Sequence, residues 1–210
     1  MSNCFKFDRN PGFLFTKLKS EQLKPFWQEV NEIQKNFNDA QTNGDYLAGN
    51  LEHQYQLSCR DYALKLVEPF VAEYIKTFDY GYRLQHIASP STLTIAQRDL
   101  WVNFQKKHEF NPPHYHSGLF SFVIWLQVPF TWKDELAAGP GRNTQEPQNG
   151  DFMFQYTDVL GTTKVQRLGI DKSKEGYFCL FPAGLTHYVN PFYSSDDYRI
   201  TVSGNLKYAV

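Results

Sequence analysis

The chain has 210 residues, and its 41% hydrophobic and 17% aromatic content is enough to bury a core, which excludes disorder over most of its length. Its 21 Lys+Arg against 22 Asp+Glu leave a formal charge of −1, with no basic stripe for a nucleic-acid backbone. The longest apolar stretch, Leu119 to Leu126, is interrupted by Ser121 and falls far short of the ~20 residues a membrane helix needs.

The opening MSNCFKFDRNPGF lacks the basic-then-apolar layout of a secretory leader. Residues 20–38 read as a helix, with Ser20 as its cap and Leu23, Phe26, Trp27, Val30, Ile33 and Phe37 at helical spacing. Pro25 falls in the first turns, where a missing N–H costs little. A polar stretch with the Asn43-Gly44 pair follows. A second helix is predicted from Tyr55 to Phe78, kinked or split at Pro69. The three cysteines, Cys4, Cys59 and Cys179, are odd in number and far apart, so the expectation is reduced thiols in a cytoplasmic protein.

From about residue 92 the apolar period changes to two. Leu93–Ile95, Asp99–Gln105, Leu119–Val128, Asp151–Asp158, Lys164–Leu168, Gly176–Phe181, Thr186–Asn190 and Tyr198–Asn205 read as strands. The Gly/Pro/Asn-rich loop at 138–150 is a candidate mobile segment. The expected organisation is one domain over 1–210. A helical support region (1–92) covers one face of a β core (93–210) folded as a sandwich or barrel.

Histidines mark where chemistry can sit. His114 and His116, in Pro-Pro-His-Tyr-His-Ser-Gly, point to the same side of an extended backbone, so their imidazoles can converge on one ion. The alternative is a polar loop that contains two histidines by chance. His187 opens a strand after a Phe-Pro-Ala-Gly turn. Twelve residues on, Arg199, Thr201 and Ser203 share one strand face while Ile200 and Val202 take the other. A buried face with an Arg implies an anion beside it; a solvated face implies nothing.

The order HxH, FPxxxxH, RxTxS resembles that of 2-oxoglutarate/Fe(II)-dependent oxygenases, and in particular the small prolyl-hydroxylase-like proteins of bacteria and marine phages. Trp101-Val-Asn103, Ser117-Gly118 before an aromatic strand, Phe181-Pro182, and Leu47-Ala-Gly-Asn-Leu51 are similar to stretches in these proteins. The resemblance covers 99–206 well and the helical half loosely. It implies a double-stranded β-helix, with His114 and His187 as Fe(II) ligands. Arg199 would pair with the distal carboxylate of 2-oxoglutarate, Thr201 or Ser203 would donate a hydroxyl, and Asn103 would complete the pocket. The implied partners are 2-oxoglutarate, molecular oxygen and an unidentified primary substrate. The implied location is the cytoplasm, that of the host for a phage-encoded chain.

The chain departs from the family's two-histidine, one-carboxylate pattern at His116, which stands where the carboxylate is expected. Three readings stay open: a three-histidine site; His116 supporting the ligands while a carboxylate such as Glu109 or Asp151 is supplied from nearby; or a site that is degenerate or binds zinc or nickel instead. The leading expectation is a hydroxylase coupling 2-oxoglutarate decarboxylation to substrate oxidation. Its rivals are a cupin-like three-histidine dioxygenase that does not use 2-oxoglutarate and a non-catalytic, virion-associated protein of the same fold. His53 and His86 read as ordinary surface or core residues, and His108 with Glu109 as candidates to support the ligands. Phe120, Phe122, Phe152, Phe154 and Tyr156 read as barrel packing.

Overall fold

The computed structural model describes residues 3–7, 10–37, 48–78, 93–96, 99–145 and 147–208; of 3–7, 10, 11 and 141 only the backbone is described. His86, Asn43-Gly44 and Leu47 lie outside the described residues. In chain order come β1 (Asn3–Phe7), β2 (Asn10–Lys17), α1 (Ser20–Lys35), β3 (His53–Gln56) and α2 (Arg60–Thr77). Then follow β4 (Leu93–Thr94), β5 (Leu100–Gln105), β6 (Asn111–His114), β7 (Phe120–Gln127), α3 (Trp132–Ala138), β8 (Phe152–Thr157), β9 (Thr163–Arg167), β10 (Tyr177–Pro182), β11 (Thr186–Val189) and β12 (Arg199–Tyr208).

The strands form two antiparallel sheets. The larger runs β1-β2-β10-β7-β12-β5-β3 with β4 beside β12, and the smaller runs β6-β11-β8-β9. This is the double-stranded β-helix expected from the sequence. The strands predicted after residue 92 form close to their expected bounds. Strand β6, not among the strands expected from the sequence, holds Pro112 and Pro113. Those prolines are tolerated because β6 is an edge strand, where a missing N–H breaks no ladder.

The first half departs further from expectation. It contributes three strands to the larger sheet, where only helices were predicted. Tyr55, taken as the start of the second helix, pairs with Val102 in the sheet instead. Helix α2 begins only at Arg60, after the Glu29 carboxylate of α1 accepts hydrogen bonds from the Ser58 and Cys59 amides. It then runs through Pro69 as a single helix. The short helix α3 was not predicted; Thr131 starts it, its hydroxyl accepting from the Asp134 amide at 3.2 Å.

Two apolar layers hold these pieces. Phe26 and Val30 of α1 and Val67, Val71 and Tyr74 of α2 pack against Leu14, Phe122, Ile124, Leu180 and Val202 on the outer face of the larger sheet. Phe13, Val123, Trp125, Phe152, Phe154 and Phe181 fill the space between the sheets. Each such side chain contributes ~1.5–3 kcal/mol on burial. Strand β7 faces both layers, which explains its nearly unbroken apolar sequence. The expected ring packing holds with one refinement: Phe120 and Phe122 face the helices, while Phe152 and Phe154 face the barrel interior. Among the described residues no helix is long and apolar enough to cross a membrane.

Candidate metal centre and its pocket

Register brings the histidines together. His114 ends β6 directly opposite His187 on β11. Two residues on, the His116 amide donates to the Ala183 carbonyl at 2.9 Å, folding the loop after β6 onto the turn before β11. The three rings meet with centroids 4.3 Å (His114–His187), 5.0 Å (His114–His116) and 5.1 Å (His116–His187) apart. One nitrogen from each lies within 4.8 Å of the others.

Hydrogen bonds set the tautomers of two of them. His114 Nδ1 lies 2.7 Å from the Pro112 carbonyl and His187 Nδ1 lies 2.9 Å from the Leu185 carbonyl. A carbonyl can only accept, so each Nδ1 carries the proton and each Nε2 keeps its lone pair free. Burial favours the neutral form of all three. It lowers His114 from its ordinary value, takes His116 down to about 4 with help from neighbouring His114, and holds His187 well below the usual range. Three neutral imidazoles facing one point are a donor set suited to a divalent transition metal.

No carboxylate joins this group among the described residues. Asp151 is fully buried but engaged elsewhere: it accepts from the Phe152, Gly169 and Ile170 amides and from Arg167 Nε at 2.8 Å. Glu109 accepts from the Glu52 amide at 2.9 Å and the Lys106 amide at 2.7 Å, clipping residue 52 to the turn after β5. The His108 ring packs against Tyr193, with centroids 5.2 Å apart, and does not support the ligands. His53 stacks on Phe37 at 4.2 Å, consistent with its plain reading.

The histidines open into a cleft whose far wall is the polar face of β12 and β5. Arg199, Thr201, Ser203 and Asn103 all line it. Arg199 is 1% exposed, yet among the described residues its guanidinium hydrogen-bonds to neutral oxygens alone. Its Nε donates to Gln105 Oε1 at 3.0 Å; Nη1 donates to the Gly150 carbonyl; Nη2 donates to Gln105 Oε1 and, at 3.4 Å, to the Asn190 carbonyl. Burial lowers its pKa to about 9, opposed by the more distant Asp151 and Glu135, which leaves it charged at neutral pH. Asn103 Nδ2 donates to Thr201 Oγ1 at 3.3 Å, while its own Oδ1 is buried without a partner.

Sequence reasoning missed Gln105, Gln54 and Asn111, which also line the cleft. Gln105 alternates with Trp101 and Asn103 on β5, so period-two spacing was enough to find it. Gln54 and Asn111 carried no such signal, because β3 and β6 were not recognised as strands. The end of the 138–150 loop is fixed in the site: Asn149 Nδ2 donates to the Glu135 carbonyl at 3.1 Å and the Gly150 amide to Pro191 at 2.8 Å.

Residues 99–205, just over half of the chain, match the family model described as "Putative 2OG-Fe(II) oxygenase". The matched span contains all three histidines and Arg199. Among solved structures the chain is similar to a prolyl-4-hydroxylase from Pseudomonas putida. The TM-score is 0.52 at 10% identity, covering 94% of this chain and 92% of that one. It is also similar to an oxidoreductase of the 2OG-Fe(II) oxygenase family from Burkholderia pseudomallei, with TM-score 0.50, 12% identity and 98% and 92% coverage. Likeness at such identity speaks for the fold. No curated protein matches the sequence.

Proposed function

Because the chain belongs to the 2OG-Fe(II) oxygenase family, whose members use Fe(II) and 2-oxoglutarate, we propose that His114, His116 and His187 hold the iron and that Arg199, with Thr201, Ser203 and Asn103, receives 2-oxoglutarate. The observation that carries this is the buried Arg199 cation, which faces the histidines' cleft and among the described residues touches no carboxylate. A buried charge without a counter-ion is costly, and a dicarboxylate entering the cleft supplies one.

The family's iron and cosubstrate, when bound, supply an oxidation in which one atom of O₂ goes to succinate, with loss of CO₂, and the other to the primary substrate. The chain's own residues prepare that event. Gln105 grips Nε and Nη2 together, so the guanidinium fork is aimed before any anion arrives. The Asn103–Thr201 pair lies beside it on the same sheet face. Trp101, Val123, Trp125, Phe152 and Phe181 give the cleft dry walls that keep water from the reacting centre. Hydroxylation is the expected outcome, and a cytoplasmic setting fits the free thiols of Cys59 and Cys179.

The test is to titrate 2-oxoglutarate anaerobically into the Fe(II) protein and then admit oxygen. Saturable binding that depends on Arg199, followed by succinate formation, is expected. One observation favours a second reading: the cluster holds no carboxylate among the described residues, as in cupin-like three-histidine dioxygenases. Oxygen uptake that ignores 2-oxoglutarate would select it.

A further inference from the structure

A second hollow opens on the flank of the barrel. It lies between β9, the edge strand of the smaller sheet farthest from β6, and β2 and β10 of the larger sheet. Among the described residues it shares no lining side chain with the histidines' cleft. Its apolar wall is Phe13 and Phe15 of β2, Leu168 just after β9, and Tyr177 of β10. Phe15 lies against Tyr177 with ring centroids 4.9 Å apart, and Phe13 stacks on Phe154 at 5.1 Å, so this wall is held in place by packed rings.

Three cations border that wall. The Lys17 and Lys174 ammonium groups stand 5.9 and 5.3 Å from the centroid of the same Tyr177 ring. Arg167 also lines the hollow. Its Nε donates to Asp151 Oδ2 at 2.8 Å and its guanidinium lies 5.1 Å from the Trp132 ring centroid, while neither Nη hydrogen-bonds to another described residue. The carboxylates flanking Lys174 in the chain are engaged elsewhere: Asp171 Oδ1 accepts from the Ser173 amide at 2.9 Å, and Glu175 Oε1 from the Val128 amide at 2.9 Å. Among the described residues no carboxylate lines the hollow, and like charges gathered in this way repel one another. An anion relieves that repulsion.

We propose that this hollow is a second binding site, whose ligand is a small aromatic carboxylate. Asp151 and Trp132 fix the Arg167 guanidinium before any ligand arrives, which leaves its two Nη groups to meet two carboxylate oxygens as a fork. Lys17 and Lys174 add attraction from the side, and the ligand's ring lies against the apolar wall. An anion without a ring gains only the charged half of this site, and a ring without a charge only the apolar half. The site stands on its own residues and does not rest on the function proposed above.

The test is saturation-transfer NMR on the anaerobic Fe(II)-loaded protein with 2-oxoglutarate saturating the cleft. Benzoate, acetate, benzyl alcohol and benzylammonium serve as probes. Benzoate is expected to bind, acetate and benzyl alcohol each about tenfold more weakly, and benzylammonium not at all. Lys17→Glu and Lys174→Glu change side chains outside the core and outside the cleft. Each should weaken benzoate about fivefold and leave 2-oxoglutarate binding unchanged. The proposal is overturned if benzoate fails to bind, if acetate or benzyl alcohol binds as tightly as benzoate, or if both variants bind benzoate as the parent does. Failure of the parent to bind 2-oxoglutarate would count against the oxygenase reading alone, because dependence on Lys17 and Lys174 still assigns benzoate to the flank.

Discussion

His114 and His187 face each other in register across β6 and β11, ring centroids 4.3 Å apart, and each turns its Nδ1 back to the carbonyl two residues earlier in its own strand segment. The two strands therefore present their Nε2 lone pairs to the same space through the same local device. Neither ring needs a distant residue to set its tautomer.

Removing either ring should abolish metal retention. His114→Ala and His187→Ala each delete a donor from a cluster of three, and elemental analysis after anaerobic reconstitution should find little iron in both. His116→Asp, which restores the common two-histidine, one-carboxylate pattern, should keep or improve Fe(II) affinity, while His116→Ala should weaken it. Indifference to both changes at 116 would place that ring outside the coordination sphere.

Arg199→Ala should raise the 2-oxoglutarate dissociation constant by roughly a hundredfold, since losing one partner of a buried charge pair costs about 2–5 kcal/mol. Arg199→Lys should recover part of this, because an ammonium cannot fill both the Gln105 and Gly150 contacts and still fork toward a carboxylate. Iron content should be unchanged. An unshifted titration curve for Arg199→Ala would defeat the cosubstrate assignment.

The metal-free protein should lose stability in mild acid. His116 has its folded value near 4 against an ordinary 6.5, so the unfolded chain binds more protons between those limits. Stability is then intact above about pH 6.5, falls as the pH drops, and has lost this contribution in full near pH 4. The slope is about 1.4 kcal/mol per pH unit for each such histidine. Denaturant melts at stepped pH measure it; a flat profile across that window would contradict the burial of the rings.

Asp151→Asn should be destabilising, on the order of 2 kcal/mol, because it replaces with a neutral amide the buried carboxylate that accepts from partly exposed Arg167 and from the Phe152, Gly169 and Ile170 amides. The folded variant should still hold iron at the parent's stoichiometry. Loss of metal from a folded Asp151→Asn protein would revive Asp151 as a ligand.

His108 sits at φ 72°, the one non-glycine at positive φ among the described residues. His108→Gly should therefore raise stability by up to ~1 kcal/mol, relief of αL strain outweighing the ring's contact with Tyr193. A lower melting midpoint for the variant would show that the Tyr193 contact matters more.

The site was legible to the extent that its chemistry repeats at strand spacing. His114 and His116, two apart, and Arg199, Thr201 and Ser203, alternating, announced shared faces because a strand's side-chain period is two. Asp151 and Glu109 could not be excluded as ligands from the sequence, since a carboxylate's partners are backbone amides such as those of Gly169 and Glu52 that no pattern of side chains reveals. The first half reads as purely helical because α1 and α2 carry a strong apolar stripe, whereas β2 and β3 gain their stability from pairing with β10 and β5, far along the chain, and β1 from pairing with β2. Local pattern thus determined the two helices, the later strands and the residue types of the site. Which edge β3 would occupy, that Glu29 would delay α2 to Arg60, and that Gly49 and Asn111 would wall the cleft were decided only by tertiary structure. Those contacts join residues separated by 29 to 62 positions, and their free energy exists only once the sheets have closed.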